Sequence, residues 1–360
     1  MTLNFVPIEI FNNLLKEEIQ PEIKSELLSD LCRINILYMI NKAGSGHIGS
    51  SFSSVDLMSW IFLQYVLNND STRNYFFSSK GHDAPAMYSV MASLGLIDFK
   101  LIHKLRKIDG LPGHPDISTP NVITNTGSLG MGISKAKGII KANRLKNIAC
   151  RVFVMTGDGE LQEGQFWESL MRVKQEKLFE LIIVVDNNKF QSDRTVESTS
   201  NLGKLEQKFV SFGINTIKVN GNNVFDFSKS IEELINNNQP SAIIADTVKG
   251  NGVSQLEANN MKSGEFYKFH SGSITDELYK KCISELSSKI NQSLVMNSIS
   301  LEFRLENYNQ SKMNDFKLNT YFVQDNFSYS IKKGVIRGLH IQAPPMSQIK
   351  LISVIKGKIL

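Results

Sequence analysis

From Lys24 to Asn41 the apolar residues Leu27, Leu31, Ile34 and Tyr38 recur at helical spacing, which predicts a helix with one buried face. The glycine-rich run AGSGHIGSS breaks that pattern, and another helix is expected to start near Ser54. Beyond residue 120 short apolar runs alternate with amphipathic segments. ACRVFVMT, FELIIVVD, NTIKVN and SAIIADTV read as buried strands, and Glu163 to Lys177, Leu202 to Phe212 and Phe225 to Asn237 as the helices between them. This alternation predicts an α/β fold built on a doubly wound parallel sheet covered on both faces. After about residue 290 the texture shifts to β-rich runs broken by Gly and Pro, so a boundary is expected within Ser287 to Ser300.

Composition narrows the function classes. The chain has 360 residues, 41% of them hydrophobic, enough for a large core and more than one unit. A net charge of +5 is modest, and lysines are interspersed with glutamates, which argues against a nucleic-acid partner. The apolar run Leu181 to Val185 is too short to cross a bilayer, and the start MTLNFVPIEIF lacks the basic stretch of a secretory signal. The expected location is the cytoplasm, without a membrane. Cys32, Cys150 and Cys282 lie far apart and have no metal-binding spacing, so they are expected as buried free thiols.

The candidate chemistry starts at GDG, Gly157 to Gly159. Ligands of a parallel sheet bind beyond the carboxyl ends of its strands, and Asp158 follows one such strand. Its flanking glycines allow a tight turn and close approach of an anion. The next strand ends in DNNKFQ, so Asp158 and Asn188 are expected at one edge of the sheet. Carboxylate, amide and carbonyl oxygens form a hard donor set suited to Mg2+ bridged to a diphosphate. By itself a GDG turn after a strand is more often just a turn. Four of the six histidines add weight, because His47, His82, His114 and His270 stand in glycine-rich or helix-opening contexts that suggest a polar ligand site.

The motifs SGHIG, SKGHDAPAMYSVMASLG, LPGHPD, TGSLGMGIS, GDGELQEGQFWES and DNNKFQSD follow one another over about residues 15 to 275. In order and spacing they resemble the thiamine diphosphate-binding half of transketolase. The resemblance implies that Asp158, Asn188 and the carbonyl of Phe190 hold Mg2+, or Ca2+ or Mn2+ in its place. Gly157, Gly159 and His82 would approach the diphosphate, with Gly127, Leu129 and Glu163 also at the cofactor site. His47, His114 and His270 would be catalytic residues facing the substrate channel, where imidazoles move protons on sugar hydroxyls. Glu163 and Glu168 would lie near a subunit interface, although acidic residues in a first helical turn are also favoured by the helix dipole.

The resemblance covers only one half of transketolase. It implies a partner chain carrying the pyrimidine site and the glutamate that activates the cofactor, assembled as a homodimer or heterotetramer acting on sugar phosphates. A separate resemblance covers the tail: FVQDNFSYSIKKGVIRGLHIQAPPMSQIKLISVIKGKIL is similar to the first part of dTDP-4-dehydrorhamnose 3,5-epimerase, a cupin fold. It implies roles for Arg337 toward a nucleotide phosphate and His340 as base, whereas Met346 departs from the family pattern. The expected organisation is a diphosphate-binding unit over 1–290, a linker over 291–300 and a truncated, β-rich cupin-like fragment over 301–360. The leading functional expectation is one component of a split transketolase transferring a two-carbon ketol group. The alternatives are a thiamine diphosphate-binding relic without turnover and an epimerase activity from the tail.

Overall fold

A computed structural model describes residues 2–308 except 68–71 and 262–264. The chain opens with strand β1 (Asn4–Phe5), followed by helices α1 (Ile8–Lys16), α2 (Pro21–Ala43) and α3 (Ile48–Ile61). Pro21 sits in the first turn of α2, where its missing N–H would have no helical partner anyway. Gly44 ends that helix in the left-handed conformation, at φ 69°, and its N–H closes on Asn41 and Ile40. The helix expected near Ser54 therefore begins earlier, at Ile48, straight after the turn that carries His47. All residues of α3 are buried, so it shows no polar face for a sequence pattern to reveal.

Strand β2 (Arg73–Ser78) follows, then α4 (Ala84–Ser93) and α5 (Gly132–Leu145). Next come β3 (Cys150–Gly157), α6 (Gly164–Leu170), β4 (Leu181–Asn187), the short pair β5 (Phe190–Gln191) and β6 (Arg194–Thr195), and helices α7 (Val196–Ser200) and α8 (Leu205–Ser211). The described part ends with β7 (Asn215–Asn220), α9 (Val224–Asn236), β8 (Ser241–Asp246), α10 (Asp276–Met296) and β9 (Glu306–Asn307). The helix expected over Glu163 to Lys177 stops at Leu170 and continues as turns, with Lys177 left-handed at φ 50°.

Strands β2, β3, β4, β8 and β7 form one parallel sheet in that order. Register is continuous, with Gly157 opposite Asp186 and Asn187 opposite Asp246. Both faces are buried, as all-parallel sheets require. Phe153, Met155, Ile182 and Val184 join the core on the α2 and α3 side, and Val152, Val154, Ile183 and Val185 the core on the α5 and α6 side. The α/β architecture expected from the alternating runs is thus present. Strand β2 was not among the expected elements. No helix of the described residues is long and apolar enough to cross a membrane. All three cysteines are buried free thiols.

Helix α10 runs on to Met296, through most of the expected boundary Ser287 to Ser300 and into the stretch 291–300 expected as a linker. Strand β9 then returns to pair antiparallel with β1, Asn4 opposite Asn307. Arg337 and His340 lie outside the described residues.

Candidate functional site

The carboxyl ends of β2, β3, β4 and β8 converge on a buried ionic hub. Asp186 ends the apolar run of β4 and is fully buried. It accepts Lys80 Nζ at 2.5 Å, Ser53 Oγ at 2.7 Å and Asn188 Nδ2 at 3.1 Å, together with the hydroxyl of Thr247. Lys80 also pairs with Asp83 at 3.2 Å and donates to Ser50 Oγ at 3.1 Å. Burial works to raise the Asp186 pKa, but the Lys80 ammonium and these donors hold it below the usual carboxylate range. Burial likewise opposes the charge on Lys80, and Asp186 and Asp83 overcome it and raise its pKa. The small serines of α3 let that helix approach the hub closely while supplying hydroxyls to it.

Asp158 follows β3 directly. Its carboxylate accepts the N–H of Lys189 at 2.6 Å and of Gly159 at 2.9 Å, which joins the loops after β3 and β4. Asn188 donates its amide nitrogen to Ser53 and Asp186, which leaves the amide oxygen as an acceptor, shared here with the N–H of Phe190 at 3.0 Å. Asp158 and Asn188, expected from their strand endings at one edge of the sheet, do meet there. Burial, then the charge of Asp186, pushes the Asp158 carboxyl up to about 7, against two backbone donors and Lys189. A buried carboxylate under that strain suits a divalent cation. Asp158, Asn188 and the Phe190 carbonyl offer a mixed oxygen set of the kind a hard ion takes. Lys249, buried beside it, donates to the Ser192 carbonyl at 2.7 Å. Burial lowers its pKa to about 8, with Asp158 and Asp186 opposing.

A second cluster faces these groups. The His47 ring lies 5.2 Å from that of His82 and 5.0 Å from that of His270, centroid to centroid. His82 Nδ1 bonds the Lys80 carbonyl at 3.0 Å, tying the histidines to the ionic hub. Burial first, then neighbouring positive charge, pushes His47 and His82 down to about 3 and lowers His114 and His270. All four imidazoles are therefore neutral near pH 7. His114 is the most exposed of the four. A side chain at Gly127 would meet its ring at 3.4 Å, and one at Gly81 would meet Thr126 Oγ1 at 2.7 Å, so the turns of 81, 114 and 127 touch through glycine. His47 Nδ1, His270 Nδ1 and Gln191 Oε1 are buried without a hydrogen-bond partner among the described residues, which suits a cleft shaped for a polar ligand.

The remaining expected residues are spread along the rim. Gly157 lies against Lys80 and Gly159 against Gln191, where an added Cβ would stand 3.4 Å and 3.2 Å from side-chain carbons. Gly127 and Leu129 are exposed. Glu163 and Glu168 are exposed as well. Glu163 is the N-cap of α6, but Glu168 lies in its last turn, where the dipole gives an acid no support. Lys80, Asp186, Lys249, Glu160 and Arg106 belong to the site but were not expected from the sequence. A charged residue closing an otherwise apolar strand, as Asp186 does, was the available signal.

Residues 24–269 match the family model described as transketolase, thiamine diphosphate binding domain, and residues 302–360 match that of dTDP-4-dehydrorhamnose 3,5-epimerase. The chain is 29% identical over 272 residues to one of the named subunits of apulose-4-phosphate transketolase from Phocaeicola vulgatus, covering 74% of this chain and 94% of that one. It is 30% identical to the 6-deoxy-6-sulfo-D-fructose transketolase subunit SqwG of a Clostridium species, covering 69% of this chain and 91% of the relative. The crystal structure of transketolase from Campylobacter jejuni superposes with a TM-score of 0.65 at 27% identity, over 75% of this chain and 43% of that one. The chain thus spans nearly all of each named subunit but less than half of the undivided enzyme. With the fold, the motif order and two thirds of its length in agreement, it belongs to the transketolase thiamine diphosphate-binding domain family.

Proposed function

We propose that this chain is the diphosphate-binding subunit of a two-subunit transketolase, which moves a two-carbon ketol unit from a ketose phosphate to an aldose. The observation that carries the reading is the meeting of Asp158, Asn188 and the histidine cluster at the carboxyl ends of one sheet. When bound, thiamine diphosphate supplies a carbon nucleophile able to cleave the bond between C2 and C3 of a ketose.

This chain's residues then have distinct tasks. Asp158, Asn188 and the Phe190 carbonyl hold Mg2+, and Gly157 and Gly159 leave space for the diphosphate beside His82. Lys249 adds positive charge near the same group. The neutral rings of His47, His114 and His270 orient sugar hydroxyls and exchange protons with them at a ring nitrogen. The glutamate that activates the cofactor comes from a complementary chain, in keeping with the names of the two relatives, each called a subunit. The epimerase-like tail takes no part in this reaction, and its boundary with the first unit lies beyond β9.

The test is cleavage of xylulose 5-phosphate by the purified chain with thiamine diphosphate and Mg2+, with and without the complementary chain. Turnover only in the combined sample is expected. Full turnover by the chain alone would overturn the two-subunit reading, and tight thiamine diphosphate binding with no turnover in either sample would favour a binding relic.

A further inference from the structure

The loop that offers the Phe190 carbonyl places two non-glycine residues in the left-handed region, Lys189 at φ 69° and Ser192 at φ 52°. They stand on either side of Phe190 and Gln191, and residues hold such angles only where their surroundings over-determine them. Part of that support is the bond from the Lys189 N–H to Asp158 and the pairing of β5 with β6. More comes from a residue far along the chain, Tyr267, which the proposed function leaves without a task.

Tyr267 is buried although its neighbours Phe266 and Lys268 are exposed. Its N–H donates to the Asp193 carbonyl at 2.8 Å, beside the Ser192 carbonyl that accepts Lys249 Nζ. Its ring lies 5.8 Å from that of Phe190, centroid to centroid. The Lys249 ammonium stands over both, 5.7 Å from the Phe190 ring and 5.1 Å from the Tyr267 ring. The phenol donates to the Leu256 carbonyl at 2.8 Å.

The same ring reaches the histidines. A Cβ on Gly49 would stand 2.5 Å from its Cε1 and Oη, and one on Gly250 2.7 Å from Oη, so the ring fills space that only glycine leaves open. Gly49 lies in the first turn of α3, two residues after His47, and its N–H reaches the Phe269 carbonyl at 3.3 Å. The Gly272 N–H reaches the Gly46 carbonyl at 2.9 Å. These two bonds flank His270 on one strand of chain and His47 on the other, which sets their rings 5.0 Å apart.

The geometry points to Tyr267 as a positioning residue that fixes the Phe190 carbonyl relative to His47 and His270, coupling metal affinity to the geometry of the histidine pair. This inference rests on the proposed function and deepens it. Phe190 is only half-buried, so the direction of its carbonyl depends on side contacts more than that of a core residue does. Tyr267 supplies such a contact on one side of its ring and meets the turn of His47 on the other.

The experiment is calorimetric titration of the full chain with thiamine diphosphate at a series of Mg2+ concentrations. Wild type, Tyr267→Phe, Tyr267→Leu and Gly49→Ala are compared, with a thermal melt of each. The Mg2+ needed for half-maximal binding is expected to rise about 10- to 100-fold in Tyr267→Leu, the usual effect of losing a group that orients metal ligands. Tyr267→Phe keeps the ring, loses one hydrogen bond and should stay within about fivefold of wild type. Gly49→Ala pushes the ring from the opposite side and should raise the Mg2+ requirement with Tyr267 itself intact. With the complementary chain and saturating Mg2+, Tyr267→Leu should still show a reduced kcat on xylulose 5-phosphate, because the ion does not restore the spacing of His47 and His270. An unchanged Mg2+ requirement in Tyr267→Leu, even with a lowered melting temperature, or full recovery of kcat by excess Mg2+, overturns this inference alone. If Tyr267→Leu does not fold, an unchanged requirement in Gly49→Ala overturns it instead. Failure of the wild-type chain to bind thiamine diphosphate with Mg2+ overturns the functional reading, and this inference with it.

Discussion

Lys80 Nζ and Asp186 Oδ2 lie 2.5 Å apart, both wholly buried, where the loop after β2 crosses the end of β4. The pair joins an edge strand to the centre of the sheet directly beneath the loops that carry Asp158 and Asn188. Removing one partner of a buried pair leaves an uncompensated charge, a loss of about 3–5 kcal/mol. Lys80→Met is therefore expected to lower the melting temperature by roughly 10 °C. Adding Asp186→Asn should recover part of that loss, because only Asp83 then remains of the two buried carboxylates that Lys80 paired. Thermal melts of the two variants decide this, and equal melting of Lys80→Met and wild type would contradict it.

Glu160 works in a similar place, where the Lys80 charge reaches it without an ion pair among the described residues. Its buried carboxylate accepts Ser79 Oγ, the Gly130 N–H at 2.9 Å and the Gly157 N–H at 3.4 Å, so it links the ends of β2 and β3 to the loop of Gly127 and Leu129. Glu160→Ala should loosen that loop against the GDG turn and weaken thiamine diphosphate binding about 10- to 100-fold, as loss of groups that orient ligand-bearing residues commonly does. Glu160→Gln keeps one acceptor oxygen and should fall between the two. Equilibrium binding measured for all three proteins is the check. An unchanged dissociation constant in Glu160→Ala would show that the loop is held by other contacts.

The buried histidines set the acid limit of stability. Burial pushes His47 and His82 down to about 3 and His103, outside the cleft, down to about 4. In the unfolded chain each would titrate near 6.5. Between these values the unfolded state binds protons that the folded state refuses, so stability falls as pH drops from about 6.5 toward 4. Each histidine contributes a slope of at most about 1.4 kcal/mol per pH unit. His103→Gln, whose site lies beside Tyr38 at 2.7 Å, should reduce the slope by about one proton. Denaturant titrations at several pH values measure it directly, and a flat profile from pH 6.5 to 4.5 would refute the assignment of neutral buried rings.

Much of the site could be read before the structure because its residues sit in turns. Asp158 between two glycines, Asn188 after an apolar run and His47 after a helix-ending glycine are all marked locally, by turn chemistry and strand endings. What holds them could not be read this way. Lys80 and Asp186 are 106 positions apart in sequence, and nothing near either residue announces the other. Strand β2 was missed because RNYFFS is a short run whose mixed burial gives neither clean alternation nor an unbroken apolar stretch. Helix α3 was placed late because a helix buried on every side has no periodic polar face, and its serines lower the apparent hydrophobicity.

The pairing of β1 with β9 gives a last prediction, about where the first unit ends. Leu301 is buried, and Phe303, Leu305 and Tyr308 pack against the main core, while the Tyr308 N–H reaches the Leu3 carbonyl at 3.1 Å. The Lys42 ammonium lies 2.8 Å from the centre of the Tyr308 ring, a further tie between α2 and this segment. The unit proposed to bind the cofactor is thus stabilised by residues beyond the expected boundary within Ser287 to Ser300. A chain ending at residue 308 should keep the melting temperature and the thiamine diphosphate affinity of the full chain. One ending at residue 297 loses those apolar contacts and the partner of β1, and should be less stable by roughly 2–5 kcal/mol, on the scale of one or two buried side chains. Side-by-side melting of the two truncated proteins measures the difference. Equal stability would place the end of the unit at α10, and a loss already present at 308 would mean that residues 309–360 support the first unit.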